Sequence, residues 1–295
     1  VGAVLGLVAA AVQGVVLLAR RRPAVVLSVG GYAAAPCAFG AVLLRIPLVL
    51  HDQNAVPGSV NRLVGRFARA AAVSYPGTPL PRAEVTGNPV RPEVAAVDRS
   101  PAGRAAARAA LGLPDDRVVV AAFGGSLGAR SVNRAVTGLV GAWASRRDVV
   151  VYHVVGRRDW SAGARAAATE EYRPVEYEDR MPLLLAAADV AVCRAGGTTV
   201  AELAVVGLPS VLVPLPGAPG DHQTANAAAL VQAGAAVLVP DVALTAERLA
   251  RELDALVADP ERREAMGRAA RSCALPDAAN RVAMLLDRHA RRGAA

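Results

Sequence analysis

The chain has 295 residues, which is enough for two domains with separate cores, and 54% of them are hydrophobic but only 3% are aromatic. This composition, rich in alanine and valine, excludes a collagenous or disordered chain and is typical of an α/β protein. The net charge is +8, and residues up to Val97 carry nine arginines against three carboxylates. Because no nucleic-acid motif accompanies the charge, we expect the partner to be an anionic membrane surface or a phosphorylated ligand, and we expect no nucleic acid.

The first 19 residues are apolar except for Gln13, and Arg20, Arg21 and Arg22 follow them. Bulky residues recur at helical spacing while glycine and alanine fill the opposite side, which predicts a domain helix with one bulky face. We expect this helix to dock on a bilayer with the arginines at the headgroups. One alternative is a transmembrane span, which needs about 20 such residues. A second is a signal peptide, although a basic leader is absent here.

Alternating strands and helices follow. The run Val25–Val29 predicts a buried strand leading into Gly30–Tyr32, and Pro47–His51 predicts the next strand. Asp52, Gln53 and Asn54 come directly after it, where open α/β sheets place ligands. A single histidine here would by default be a satisfied near-core residue, but four consecutive polar side chains weaken that interpretation.

A domain crossing is predicted at Gly87–Arg91, where prolines interrupt the hydrophobic pattern. The alternation then restarts with a strand over Arg117–Phe123 and a glycine loop over Gly124–Ala129, which predicts a second doubly wound domain. Glycines let the backbone approach a phosphate closely, and Ser126 could bond to it. The loop alone is weakly specific. It matches neither a Walker A loop nor a dinucleotide fingerprint, which disfavours an NAD enzyme.

The stretch from Asp189 to Glu202 joins a buried strand, a Gly196-Gly197 turn and a helix start. Amides freed at this turn and the positive end of the helix dipole favour a phosphate, and Thr198 and Thr199 can add hydroxyl donors. Glu202 falls one turn into the helix, where its carboxylate could accept two ribose hydroxyls. On its own, the segment is equally compatible with an ordinary strand-turn-helix.

The remaining pattern predicts a strand near Val175–Tyr177, a helix start at Asp221, and closing helices. The last helix is predicted from Pro276, placed at the first helical position, to Arg292. His222 and Gln223 are expected to face the same cleft as Glu202.

Five motifs in this order resemble the MurG family, the peptidoglycan UDP-N-acetylglucosamine transferases. They are His51–Asn54, Gly87–Arg91, Gly124–Ala129, Cys193–Glu202 and Asp221–Asn226. The resemblance implies an α/β GT-B fold with two Rossmann-like domains facing a cleft, the first of them incomplete in this chain. The expected domains are residues 1–91 on the acceptor and membrane side, 92–275 for the UDP-sugar, and a helix over 276–295 that returns to the first domain.

The resemblance also implies a binding role for each matching residue. By this resemblance, Ser126 would contact the diphosphate, and Gly197, Thr198 and Thr199 would contact phosphate and sugar. Glu202 would bind the ribose, the backbone at Glu178 would bind uracil, and Gln223 and His222 would contact the sugar hydroxyls. Asn54 would reach the acetamido sugar, and Arg91 would contact a phosphate.

The implied reaction transfers N-acetylglucosamine from UDP-N-acetylglucosamine, with inversion, to the 4-hydroxyl of the muramyl sugar of lipid I, giving lipid II. The protein would be peripheral, at the cytoplasmic face of the cell membrane, and the reaction would need no metal and no cofactor. The family's N-terminal glycine-rich loop, which carries a histidine thought to be the base, has no counterpart in this sequence. We therefore expect this chain to be inactive or barely active. His51 is a candidate replacement base.

Two further departures affect individual sugar contacts: Leu127 stands where the family commonly has Gln, and His222 stands where some members have a second Gln. Two other functions also fit the motifs. One is a related GT-B transferase with another lipid or natural-product acceptor, and the other is a non-catalytic UDP-binding, membrane-associated protein.

Overall fold

The structure, a computed structural model, describes residues 2–125 and 128–291, with the backbone alone for residues 2–5 and 7. Contacts divide the chain into two compact units. The first comprises Val1–Pro89, Pro219–Asn226 and Leu275–Ala295, and the second comprises Val90–Ala218 and Ala227–Ala274.

The elements up to Pro89 all belong to the first unit. In chain order they are α1 (Gly2–Arg21), β1 (Val26–Ser28), α2 (Ala35–Leu43), β2 (Leu48–Asp52), α3 (Ser59–Val64), β3 (Ala70–Val73) and β4 (Ala83–Val85). The strands form a parallel sheet in the order β1-β2-β3-β4. Strand β2 is buried along its whole length, as its run of apolar residues predicts for a parallel sheet covered on both faces.

Small residues allow close packing of α1 on α2. A Cβ atom at Gly14 would lie 2.7 Å from the backbone of Pro36, and one at Gly40 would lie 3.1 Å from Leu18. Gly14 of α1 therefore lies against the unit, whereas Gly6 is exposed. The bulky side is exposed at Val8, Val12, Val16 and Leu17.

The second unit follows the same alternation over a longer sheet. Its elements up to Ala218 are α4 (Pro92–Ala95), α5 (Pro101–Leu111), β5 (Val118–Phe123), α6 (Arg130–Ala142), β6 (Val149–Val154), α7 (Ala162–Ala166), β7 (Tyr172–Val175), α8 (Met181–Ala187), β8 (Val190–Cys193), α9 (Gly197–Val206) and β9 (Ser210–Leu212). The chain ends with α10 (His222–Gln232), β10 (Ala236–Leu238), α11 (Ala246–Val257), α12 (Pro260–Ser272) and α13 (Ala278–His289).

The second sheet is also parallel, in the order β10-β9-β8-β5-β6-β7. The chain passes from β5 to β6 and β7 on one side and then returns to place β8 on the other side of β5. This reversal makes a topological switch point at the carboxyl ends of β5 and β8, where doubly wound sheets bind ligands.

Two predicted element boundaries are wrong. The strand expected over Val175–Tyr177 occupies Tyr172–Val175, because β7 is an edge strand and so tolerates Pro174, which donates no backbone hydrogen bond. The last helix begins at Ala278 after the N-cap Asp277, so Pro276 precedes the helix and is not its first residue.

Two segments that are distant along the chain complete the first unit. In α13, Val282 and Leu285 pack with Val49 and Ala72 of the first sheet. The segment Pro219–Asn226, predicted in the second domain, groups with the first unit. For the alternative of a transmembrane span, the described residues contain no helix that is both long and apolar enough to cross a bilayer.

Candidate functional site

The amino end of α9 lies at the switch point of the second sheet. Gly196 is its N-cap residue, and no described side chain caps the first turn. The amides of Gly197, Thr198 and Thr199 therefore lack the intrahelical partners that later residues have. Thr198 is exposed and Thr199 is half-buried. Uncapped amides, a helix dipole and two hydroxyl groups together form a site suited to a phosphate.

The glycine loop after β5 lies beside this helix end in the sheet order. Gly125 and Gly128 have φ of 82° and 81°, which glycine adopts without strain. A Cβ atom at Gly128 would collide with the carbonyl oxygen of Val155, and the Gly128 amide donates to the Gly125 carbonyl over 2.9 Å. Gly125 and Gly128 therefore occupy positions that favour glycine. Ser126, predicted to contact the diphosphate, lies outside the described residues.

Glu202 is one turn into α9, and its side chain is 15% exposed. Burial raises the pKa of this carboxyl, while Arg91 acts in the opposite direction. The Arg91 Nη2 lies 3.5 Å from Glu202 Oε1. Arg91, which was predicted to contact phosphate, thus contacts Glu202, the residue predicted to bind ribose. Both residues belong to the second unit.

Glu178 follows β7 and points its carboxylate inward. It accepts hydrogen bonds from the Arg180 amide over 2.8 Å, from Arg180 Nε over 3.1 Å, and from the Tyr152 hydroxyl. Burial opposes ionisation of Glu178, but these bonds outweigh it and hold the pKa below its usual value. The side chain is therefore locked, which fixes the backbone of the same loop.

Arg194 is a site residue that sequence reasoning missed. Its Nη1 lies 2.5 Å from Asp241 Oδ1, its Nη2 donates to Ser131 Oγ over 2.8 Å, and Ser131 donates to the same Asp241 oxygen. These bonds tie the loop after β8 to the start of α6 and to the segment after β10. Arg194 thereby positions the helix end that carries Gly196. Only its place within the Cys193–Glu202 motif pointed to it.

The first unit carries a second polar region, at the carboxyl ends of β1 and β2. Asp52 organises it: Oδ1 accepts from the Asn54 amide, and Oδ2 accepts from the Gly58 amide and from Asn61 Nδ2. Asn61 is fully buried and also donates to the His51 carbonyl over 2.9 Å. This network shapes a cavity of about 410 Å³. Its walls include Gly30, Gly31, Tyr32, Asn54, Arg62 and His222.

His51 does not line this cavity. It is 6% exposed, and burial lowers its pKa, against the opposing effects of a hydrogen bond with the Gly87 backbone and the charge of Asp52. The Nε2 atom is buried and has no hydrogen-bond partner among the described residues. These contacts favour a neutral side chain set into the sheet.

The structure places the other predicted sugar contacts on the first unit. Asn54 accepts from Asn226 Nδ2 over 3.0 Å, and the Ala55 amide donates to Asn226 Oδ1 over 2.8 Å. His222 Nδ1 lies 3.0 Å from the Pro219 carbonyl, and Gln223 is buried. The structure therefore brings Asn54 and His222 to one cavity. Gly197, Thr198, Thr199, Glu202, Arg91 and Glu178 lie on the second unit.

Comparisons with known proteins identify the family. Residues 119–282 match the glycosyltransferase family 28 C-terminal domain, and residues 3–73 match its N-terminal domain. A UDP-N-acetylglucosamine–N-acetylmuramyl-(pentapeptide) pyrophosphoryl-undecaprenol N-acetylglucosamine transferase from Nocardioides sp. is 45% identical over 273 residues, covering 92% of this chain and 74% of the relative. The chain belongs to the MurG family.

Other members give the same result. A transferase of the same name from Alkalilimnicola ehrlichii is 44% identical over 283 residues, covering 95% of this chain and 77% of the relative. The crystal structure of Acinetobacter baumannii MurG superimposes with a TM-score of 0.76 at 27% identity, covering 94% of this chain and 77% of that one. The predicted GT-B fold of two parallel-sheet α/β domains is thereby confirmed.

Proposed function

We propose that this chain is a MurG-type hexosyltransferase, which moves N-acetylglucosamine from UDP-N-acetylglucosamine to the 4-hydroxyl of the muramyl sugar of lipid I and produces lipid II with inversion. The carrying observation is the uncapped end of α9 at the switch point, with Glu202 one turn further along the helix. The names of its relatives supply the donor and the acceptor class.

The second unit would hold the donor. Gly197, Thr198 and Thr199 would meet the diphosphate, and Glu202 would accept two ribose hydroxyls. The backbone at Glu178, whose side chain is turned inward, would meet uracil. When the acceptor hydroxyl attacks the anomeric carbon, the bond to the diphosphate breaks and negative charge develops on UDP. Fixed amides and the helix dipole stabilise that charge without reorganising.

Arg91 adds a cation whose position can depend on the ligand. Its guanidinium is exposed and lies at the outer limit of hydrogen bonding from Glu202. Ribose hydroxyls at Glu202 would compete for the same carboxylate, and a diphosphate offers the guanidinium a stronger, bidentate partner. We propose that Arg91 moves to phosphate when the donor binds.

The first unit would hold the acceptor, and the exposed face of α1 would lie on the anionic membrane surface at the cytoplasmic side. Asn54 would reach the acetamido sugar of UDP-N-acetylglucosamine, and His222 and Gln223 would contact the hydroxyls of that sugar. The base is not assigned, since the contacts of His51 favour a structural role.

A transfer assay tests the proposal. The chain is incubated with radiolabelled UDP-N-acetylglucosamine and lipid I, and label in the lipid fraction is measured beside calorimetric binding of UDP. Label in lipid II supports the proposal. Transfer to other lipid acceptors alone would support the related transferase instead. UDP binding without any transfer, even after the family's N-terminal glycine-rich loop has been joined to the chain, would support the non-catalytic alternative.

A further inference from the structure

Another cavity, of about 560 Å³, lies in the second unit, at the edge of the sheet opposite the candidate donor site. Asp189 directly precedes β8, and Pro209 directly precedes β9, so this cavity is at the amino ends of the strands. Five arginines and two carboxylates line it. The arginines are Arg99, Arg104, Arg263, Arg268 and Arg271, and we call this cavity the arginine pocket.

The two carboxylates leave most of this charge without a partner. Asp189 is already engaged, because it bonds Arg104, Arg108 Nη2 over 2.7 Å and the Val119 amide over 2.7 Å. Glu264 is exposed and lies 3.8 Å from Arg268. Among the described residues, no carboxylate is within ion-pair distance of Arg99, Arg263 or Arg271.

Helix capping explains only part of the arrangement. Arg99 Nη1 donates to carbonyls at the end of α8, at 2.6 Å from Leu185 and 2.7 Å from Ala188. Arg263 Nη1 donates to Leu256 and Val257 at the end of α11. A guanidinium has five N–H donors, so these bonds leave Nε and Nη2 of both side chains without an acceptor in the described protein.

Like charges that converge in this way repel one another, and an anion between them would offset that repulsion. Burial lowers the pKa of Arg99 to about 10, and the like charges of Arg104, Arg271 and Arg108 contribute in the same direction. Arg271 packs on Gly207 at the end of α9, where a cation suits the helix dipole, yet this places it towards the other arginines. Guanidinium forks match the oxygens of a phosphate.

We propose that the arginine pocket is a second anion site, distinct from the candidate donor site, which binds a phosphate-bearing ligand. Its volume falls in the range of small-molecule sites, which is roughly 300–1,000 Å³. The phosphate belongs either to a soluble pyrophosphate-type anion or to a lipid headgroup.

Calorimetric titration with inorganic pyrophosphate tests the site, in the presence and absence of saturating UDP. We expect binding that persists when UDP is present. We also expect Arg271→Gln to weaken it at least tenfold, because a charge-assisted bond is lost. Arg271 has no side-chain hydrogen bond to the described protein, so this substitution breaks none, and Gln keeps part of the packing on Gly207. Arg262→Gln, an exposed arginine of the same helix that does not line the pocket, is the matched control.

Absence of pyrophosphate binding to the UDP-saturated protein would overturn the proposal, and so would equal weakening by Arg262→Gln. Sedimentation with phosphatidylglycerol vesicles distinguishes the sources. A lipid headgroup as the ligand predicts that Arg271→Gln lowers vesicle binding relative to Arg262→Gln, whereas a soluble anion predicts the same vesicle binding for both variants.

Discussion

Glu202 is buried to a degree that surface carboxylates seldom reach, and burial raises its pKa despite the nearby Arg91. A carboxyl with a raised pKa destabilises the folded state when it is ionised. Its contribution to stability is full below the unfolded pKa and is lost as the pH rises through the folded pKa. Such a cost is typical of binding sites, where function takes precedence over stability.

Replacing Glu202 with Gln should therefore have opposite effects on stability and binding. Without ligand at pH 7.5, we expect a higher unfolding temperature than in the wild type, because a buried charge is removed. We expect UDP affinity to fall about 10- to 100-fold, because the hydrogen bonds from ribose lose an ionised acceptor. Thermal unfolding and calorimetry measure the two effects.

The pH dependence of UDP binding provides a further check on Glu202. Wild-type affinity should decline as the pH falls through the raised pKa, so that the difference from Glu202→Gln shrinks in acid. Glu252→Gln, on α11 and paired with Arg248, is the control, and it should leave UDP affinity unchanged. An unchanged affinity in Glu202→Gln itself would rule out the ribose contact.

At the scale of elements, the turn between β5 and α6 depends on glycine. Gly128→Ala would place a side chain on a residue of positive φ and against the Val155 carbonyl, so we expect a loss of about 1–3 kcal/mol in stability and weaker UDP binding. Gly141→Ala in α6 is the control. It meets open space and should stabilise the helix by about 0.5–1 kcal/mol. Urea unfolding compares the two, and equal stabilities would contradict the turn assignment.

A buried hydrogen-bond network joins α6, β6 and β7. His153 Nδ1 lies 2.9 Å from the Tyr172 hydroxyl, and Nε2 lies 3.0 Å from Asn133 Oδ1. The Asn133 amide nitrogen donates to the Val155 carbonyl, which assigns its oxygen to His153. The neutral ring then donates from Nε2 and accepts at Nδ1. Burial lowers the pKa of His153 to about 4, which favours this neutral form.

Acid should weaken the second unit through this histidine. A depressed pKa gives stability that is present above about pH 6.5 and is lost as the pH falls towards 4, by at most about 3 kcal/mol. We expect His153→Gln to lose less stability over that interval than the wild type. Both tryptophans, Trp143 and Trp160, lie in the second unit, so their fluorescence during guanidinium unfolding reports on it. Equal slopes with pH would refute the prediction.

Local pattern predicted the parts of the site that are contiguous in sequence. The strand, the glycine turn and the start of α9 all follow from residues 189–202. Contacts between distant residues left no such signal. Arg194 bonds Asp241, which lies 47 residues further along the chain, and Asn226 bonds Asn54, which is 172 residues away. The sequence pattern likewise could not assign Pro219–Asn226 to the first unit, because a loop followed by a helix start has the same pattern in either domain.

For the whole molecule, the uneven charge and the exposed face of α1 belong to the same unit. Val8, Val12 and Val16 are exposed on the side of α1 away from α2, and the arginines at the end of the helix, Arg20 and Arg21, are exposed as well. An amphipathic helix of this kind inserts its apolar face at the level of the headgroups while its cations attract anionic lipid. The arrangement supports membrane docking through α1.

Replacing Val8, Val12 and Val16 together with Ser should reduce binding to phosphatidylglycerol vesicles at least tenfold, because the apolar contribution to docking is lost. Flotation measures the bound fraction. Val242→Ser, at an apolar side chain of the second unit that is 93% exposed, is the control and should float as the wild type does. Added salt should release the wild type, since the attraction of arginines to the headgroups is screened. Unchanged flotation of the triple variant would mean that another surface docks, and salt-resistant binding would mean that charge contributes little.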